Sequence, residues 1–240
     1  MKNQYFISLI CILFMYACDS GVSPSDKKTK KKVASIYLAE TSFEDIFNGT
    51  LAEKENINVK NVYVAQSPIL DTLNTNFSLN NIAAITYENL SNEERNNYDY
   101  IGVSIAQKNK ENVPFSFSIN TLEKINATKE TIYQFAESIS NASYKNLEPI
   151  LATGLVPTQE AKTINDYFTE TTASAGAIIN YYYYGIGEGT HETSTYYTHM
   201  GTFVYGNGMT QNFHVNILEG DTQVKGYNIN PLNIDPVDLK

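Results

Sequence analysis

The stretch "MTQNFHVNILEG", Met209 to Gly220, decides the fold. In it Phe213, Val215 and Ile217 alternate with Asn212, His214 and Asn216. A period of two puts one set on a dry face and the other on a wet face, so the stretch predicts a half-buried strand. Similar segments surround it: "AIINYYYYG" from Ala177, "STYYTHMGTFVYG" from Ser194 and "TQVKGYNIN" from Thr222. Gly206-Asn207-Gly208 and Glu219-Gly220-Asp221 supply the turns between them. Such a series is an antiparallel meander with one solvated side.

Upstream of the meander the period becomes helical. Leu122, Ile125, Ile132, Phe135, Ile139 and Leu147 predict one long helix from Thr121, stopped by Pro149. Thr158 is the expected N-cap of a further helix carrying Ile164, Tyr167 and Phe168. In the first half, Val33, Ile36, Tyr37, Phe43 and Phe47 predict a helix over 33–48, and "VKNVYVAQ" predicts a strand ending at Gln66. Ser78 is the expected cap of a helix carrying Leu79, Ile82, Ile85 and Leu90, and Ser91 with Glu94 forms a capping-box pattern. Ile101, Val103 and Ile105, then Phe115 and Phe117, form a hairpin whose second strand begins at Pro114 and so belongs at a sheet edge.

Helices packed on a curled antiparallel meander make an α+β protein. The element order from Thr121 onward resembles the cystatin-like and NTF2-like architecture, which implies helices lying in a concave sheet. The first half has its own helix-helix-hairpin order, which allows two similar lobes, 33–120 and 121–240.

The N-terminus carries a different message. After Met1 to Gln4 comes "YFISLICILFMYA", thirteen residues interrupted only by Ser8. As a helix it would rise ~20 Å, short of a ~30 Å hydrocarbon core, so residues 1–17 read as a secretory signal. Met15, Tyr16, Ala17 and Cys18 resemble the lipobox of bacterial lipoproteins, with Tyr16 bulkier than the pattern. The resemblance implies diacylglyceryl transfer to the Cys18 thiol, cleavage before Cys18, palmitate-type acyl chains, and a lipid-anchored protein of the bacterial cell envelope, periplasmic or surface-facing. The alternative is a secreted chain cut after Ala17 with Cys18 as a terminal thiol. Cys11 lies within the signal, so the mature chain would hold no intramolecular disulfide. Residues 18–32, with five lysines between Lys27 and Lys32, are expected to be a lipidated, disordered tether. Those lysines either meet anionic headgroups or form a solvated spacer.

Charge narrows the partners. Seventeen Lys and Arg stand against twenty-six Asp and Glu, for a net charge of −9, and Arg95 is the only arginine. That balance argues against nucleic-acid binding. The expected partners are the membrane, through the N-terminal lipid, and an envelope protein or small ligand.

Candidate chemistry is sparse. In "NYYYYGIGEG", Asn180 to Gly189, alternation points Tyr181 and Tyr183 one way and Tyr182 and Tyr184 the other. Tyr181, Tyr183, Glu188 and His214 are the candidate ligand contacts. The Gly-rich tail lacks the lysine of a P-loop and the frame of a dinucleotide turn. His191, Glu192, His199 and His214 invite a metal reading, but the zinc-protease pattern needs histidine where Thr195 stands. No Gly-x-Ser-x-Gly elbow occurs. No catalytic residue, metal or cofactor is therefore assigned. The expected function is a non-enzymatic binding module on a membrane anchor. The alternative is an NTF2-like small-molecule enzyme in which Tyr183 and Glu188 act on a carbonyl compound.

Overall fold

The computed structural model describes residues 22–51, 54–108, 114–152, 157–191 and 193–233. The fold is α+β, with two four-stranded sheets. The chain runs α1 (Pro24–Tyr37), β1 (Glu40–Leu51), β2 (Lys54–Ala65), α2 (Thr75–Asn89), α3 (Asn92–Asn97), β3 (Tyr100–Ile105) and β4 (Phe115–Ser118). It continues with α4 (Ile119–Ala127), α5 (Lys129–Ser140), a 3-10 turn (Tyr144–Leu147) and α6 (Pro157–Ala175). The end is β5 (Ile178–His191), β6 (Ser194–Tyr205), β7 (Thr210–Leu218) and β8 (Val224–Ile229).

The meander forms as its alternation dictates. Its strand order is β5-β6-β7-β8, antiparallel throughout, and Phe213, Val215 and Ile217 are fully buried. Phe203 and Phe213 stack across β6 and β7 with ring centroids 4.4 Å apart, and Phe135 and Phe168 cover them from α5 and α6. Gly201 is small for a reason. A Cβ there would stand 2.3 Å from the Phe213 ring and 2.9 Å from the Tyr182 carbonyl oxygen.

The first sheet, β1-β2-β3-β4, differs in topology because β2 and β3 run parallel. A parallel pair needs a long crossover, and α2 with α3 provide it. β4 is the edge strand, as Pro114 implies. α2 packs on β3 of this sheet and on β5 of the other. It is buried nearly all round, from Ser78 and Leu79 through Tyr87, as a helix between two sheets must be. The first core accordingly takes Ile186 and Tyr197 from the second sheet.

Several local expectations are corrected. The expected tether is helical from Pro24 onward: Ser23 caps α1 by accepting from the Asp26 amide at 3.1 Å, and Pro24 occupies the first turn. The physical reason lies far away in sequence. Lys60 of β2, 2% exposed, sits 2.8 Å from Asp26 and 3.1 Å from Asp45, and Ser25 donates to Glu94 at 2.5 Å. The expected helix over 33–48 ends at Tyr37, where Leu38 takes a left-handed conformation (φ 50°) and closes on the Ala34 carbonyl. From Glu40 the chain is strand β1 instead, and the four-residue step from Phe43 to Phe47 fits a strand as well as a helix.

The cap of α2 is Asn74, whose Oδ1 accepts from the amides of Asn76 and Phe77, while Ser78 is buried inside the helix. The capping box of Ser91 and Glu94 forms as read. The single helix from Thr121 is two, α4 and α5, divided at Thr128. α6 starts at Pro157, one residue ahead of Thr158. The signal, Cys18 and Glu192 lie outside the described residues.

Candidate cleft beside the tyrosine strand

β5 is the terminal strand of its sheet, and its outer edge would expose backbone carbonyls. Side chains from α1 and α2 cover that edge. Asn81 Nδ2 donates to the Tyr183 carbonyl at 3.2 Å and to Tyr37 Oη at 2.6 Å, and Tyr37 donates onward to the Tyr184 carbonyl at 2.9 Å. Asn80 Nδ2 donates to the Ile186 carbonyl at 2.8 Å. Gly187 lets α2 come this close, since a Cβ there would lie 3.1 Å from the Phe77 ring. Gly185 and Gly187 thus serve packing against α2, while Gly189 makes room for the Tyr196 ring of β6.

Between α1, α2, the start of α5 and β5 lies a cleft of about 300 Å³. Tyr181 and Tyr183 line it together with His199, Lys129, Glu88 and Tyr133. Two of the four expected ligand contacts are therefore brought together. Tyr183 is held firmly: its hydroxyl donates to the Ile132 carbonyl at 2.6 Å, and its ring meets Tyr133 edge-on at 5.4 Å and Tyr181 at 5.7 Å. Tyr181 reaches Glu137 at 3.4 Å.

The other two stand elsewhere. Glu188 is exposed and lines a separate groove of about 400 Å³ with Phe115 and Phe117. His214 neighbours Phe213, which is in register with Gly201 and through it with Tyr183, so alternation puts His214 on the opposite face. Burial lowers its pKa. His191 ends β5 and is not among the residues lining the cleft. Among the described residues, no three His, Cys, Asp or Glu come close enough to hold a metal ion.

His199, weighed in the sequence only as a metal ligand, lines the cleft although it was not among the expected ligand contacts. It is 3% exposed, and its Nε2 lies 2.7 Å from Thr128 Oγ1. The same Thr128 hydroxyl lies 2.7 Å from the Ile125 carbonyl, so its single proton serves either that carbonyl or the imidazole, and the histidine tautomer sets which. Burial, with Lys129 a smaller cause, pushes the imidazole down to about 3 and keeps it neutral. The same Thr128 separates α4 from α5, so the helix break and the histidine are one arrangement. A signal was present: Tyr197, His199, Gly201 and Phe203 share the inward parity of β6.

Lys129 pairs with Glu88 at 2.5 Å. Burial lowers its pKa, against the pull of Glu88. Burial pushes Tyr183 well above the ordinary tyrosine range, with Tyr181 and Tyr133 adding to it. Burial followed by Glu137 raises Tyr181, and burial followed by Glu88 raises Tyr133. The cleft thus presents aromatic walls, a neutral imidazole and an ion pair, and neither its histidine nor its tyrosines are tuned toward neutral pH. Such a set favours holding a molecule over moving protons.

Among the described residues, no helix is long and apolar enough to cross a membrane. In comparisons with protein-family models, curated proteins and solved structures, nothing matches the chain.

Proposed function

We propose that this chain is a lipid-anchored lipoprotein of the bacterial cell envelope, acylated at Cys18, whose α+β body is a non-enzymatic binding module. The observation that supports binding is the cleft, where Tyr181 and Tyr183 form aromatic walls and neutral His199 lies among the lining residues. Its volume of about 300 Å³ suits a small ligand with an apolar or planar body and a polar group for the neutral His199 imidazole. An envelope protein presenting one side chain is the other partner class. The anchor rests on the sequence, on Met15 to Cys18 and the apolar run before them. Two or three acyl chains hold a soluble body stably where one would not.

A second reading, an NTF2-like enzyme, draws on one observation: Glu88 shares the cleft with Tyr181 and Tyr183. Against it, Glu88 is paired with Lys129, and burial holds both phenols in their protonated form. Native mass spectrometry of the chain isolated from its envelope tests binding through co-purified small molecules. Tyr181→Ala is expected to weaken their retention at least ~10-fold with little change in melting temperature. A ligand indifferent to Tyr181→Ala would overturn the cleft as its site, and turnover of a carbonyl compound abolished by Tyr183→Phe would favour the enzyme. An unmodified Cys18, read from the mass of the mature N-terminus, would sink the anchor.

A further inference from the structure

Five of the chain's seventeen basic residues, Lys27, Lys28, Lys30, Lys31 and Lys32, fall within six positions. Because this segment is helical, the run becomes a surface. Ser25, Asp26, Thr29, Val33 and Tyr37 form the buried side of α1, and all five lysines are exposed. At about 100° per residue, Lys27, Lys28 and Lys31 share the outward face, with Lys30 and Lys32 on its flanks. The chain as a whole remains at −9, so this face is a cationic island on an acidic protein. The two carboxylates that share a groove with Lys28 are engaged elsewhere. Glu88 pairs with Lys129, and Glu94 accepts from Ser25 Oγ at 2.5 Å and from the Ser91 amide at 2.7 Å.

Position along the chain adds a second argument. Only Asp19 to Ser23 separate Cys18 from α1, and five residues reach at most about 18 Å. An acylated Cys18 would therefore hold this helix within reach of the headgroups, where a fourteen-residue coil would let the body drift. Lys32 also lines the cleft, so the cleft opens beside the lysine face.

We propose that the lysine face of α1 is a docking surface for an anionic bilayer, holding the body against the headgroups with the mouth of the cleft at the lipid surface. The placement of the cleft mouth rests on the binding reading above; the lysine face stands without it. Each lysine near such a surface strengthens association on the order of fivefold, and the attraction falls away beyond a Debye length.

The test is amine acetylation of the full chain on phosphatidylcholine vesicles with and without about one-third phosphatidylglycerol, read peptide by peptide by mass spectrometry. Lys28, Lys30 and Lys31 are expected to be protected about fivefold or more on the anionic vesicles, and the protection should vanish near ~0.5 M salt. Lys162, exposed on α6, is the internal control and should label equally on both. A Lys28→Glu/Lys31→Glu variant changes only exposed side chains and should lose the protection at Lys30 with an unchanged melting temperature. Equal labelling of the α1 lysines on both vesicle types, or protection indifferent to the charge reversal, overturns the proposal. The same digest reports the Cys18 peptide. Protection with an unacylated Cys18 upholds the docking surface and removes the lipid anchor, while acylation without protection does the reverse.

Discussion

Replacing Lys60 with methionine probes the contact that converts an expected tether into a helix. The Lys60 ammonium is 2% exposed and lies 2.8 Å from Asp26, whose side chain is 9% exposed, and 3.1 Å from Asp45, which is 38% exposed. Phe43 and Tyr98 close over it with ring centroids 5.4 and 5.5 Å from Nζ. At an effective dielectric constant of ~20, the closer pair attracts by about 6 kcal/mol, much of it offset by desolvation of the two ions. Methionine keeps the length and apolar stem of lysine but leaves Asp26 buried without a counter-charge. The expected loss is about 3–5 kcal/mol, or a fall of about 10 °C in melting temperature for a body of this size. Asp26→Asn with Lys60→Met removes both buried charges and should recover most of it. Urea denaturation gives the free energies. Brief trypsin digestion under native conditions gives the location, because release of α1 exposes Lys27 to Lys32 to cleavage. A Lys60→Met protein within ~1 kcal/mol of the parent, or a double variant no better than the single, would refute the account of why α1 is ordered.

Three more outcomes are expected. His199 is ordinarily protonated near 6.5 but held to about 3 when folded, so its contribution to stability is full above 6.5 and is lost as pH falls through that window. Parent stability should fall by up to about 1.4 kcal/mol per pH unit between pH 6.5 and 5, and His199→Gln should flatten that slope in calorimetry. Gly201→Ala should cost about 1–3 kcal/mol in chemical denaturation, because the added methyl meets the Phe213 ring at 2.3 Å; no loss would mean that the stacked rings yield freely. Tyr183→Phe removes the donor to the Ile132 carbonyl and should cost about 1 kcal/mol by the same measurement, with a larger loss pointing to a role beyond that bond.

The parts of the fold legible in the sequence were those with a short, repeated signal. Phe213, Val215 and Ile217 announce their strand by parity, the β3–β4 hairpin by the same means, and Pro114 marks its edge. Ser91 and Glu94 carry their capping box within four residues. Where two periods coincide, the reading slipped. Phe43 and Phe47 satisfy helix and strand alike, and pairing with β2 settled the choice. The helix division at Thr128 was hidden because the histidine that engages its hydroxyl lies seventy-one residues away.

The candidate site divides the same way. Alternation alone turned Tyr181 and Tyr183 toward one side, and they do share a cleft. No local pattern could add Glu88, Lys129 and His199, which come from three other elements, or remove Glu188 and His214, which their strands carry elsewhere. By itself the sequence determined the α+β class, the meander and its dry face, and the acidic balance, because each depends on residues near one another in the chain. Only the tertiary structure decided that the lysine run is a helix, that the two sheets share α2, and that the tyrosine strand borders a cleft. Those outcomes depend on buried charges and hydrogen bonds between distant residues: Asp26 with Lys60, Asn81 with Tyr183, Thr128 with His199. A charge or polar group removed from water must find its partner in space.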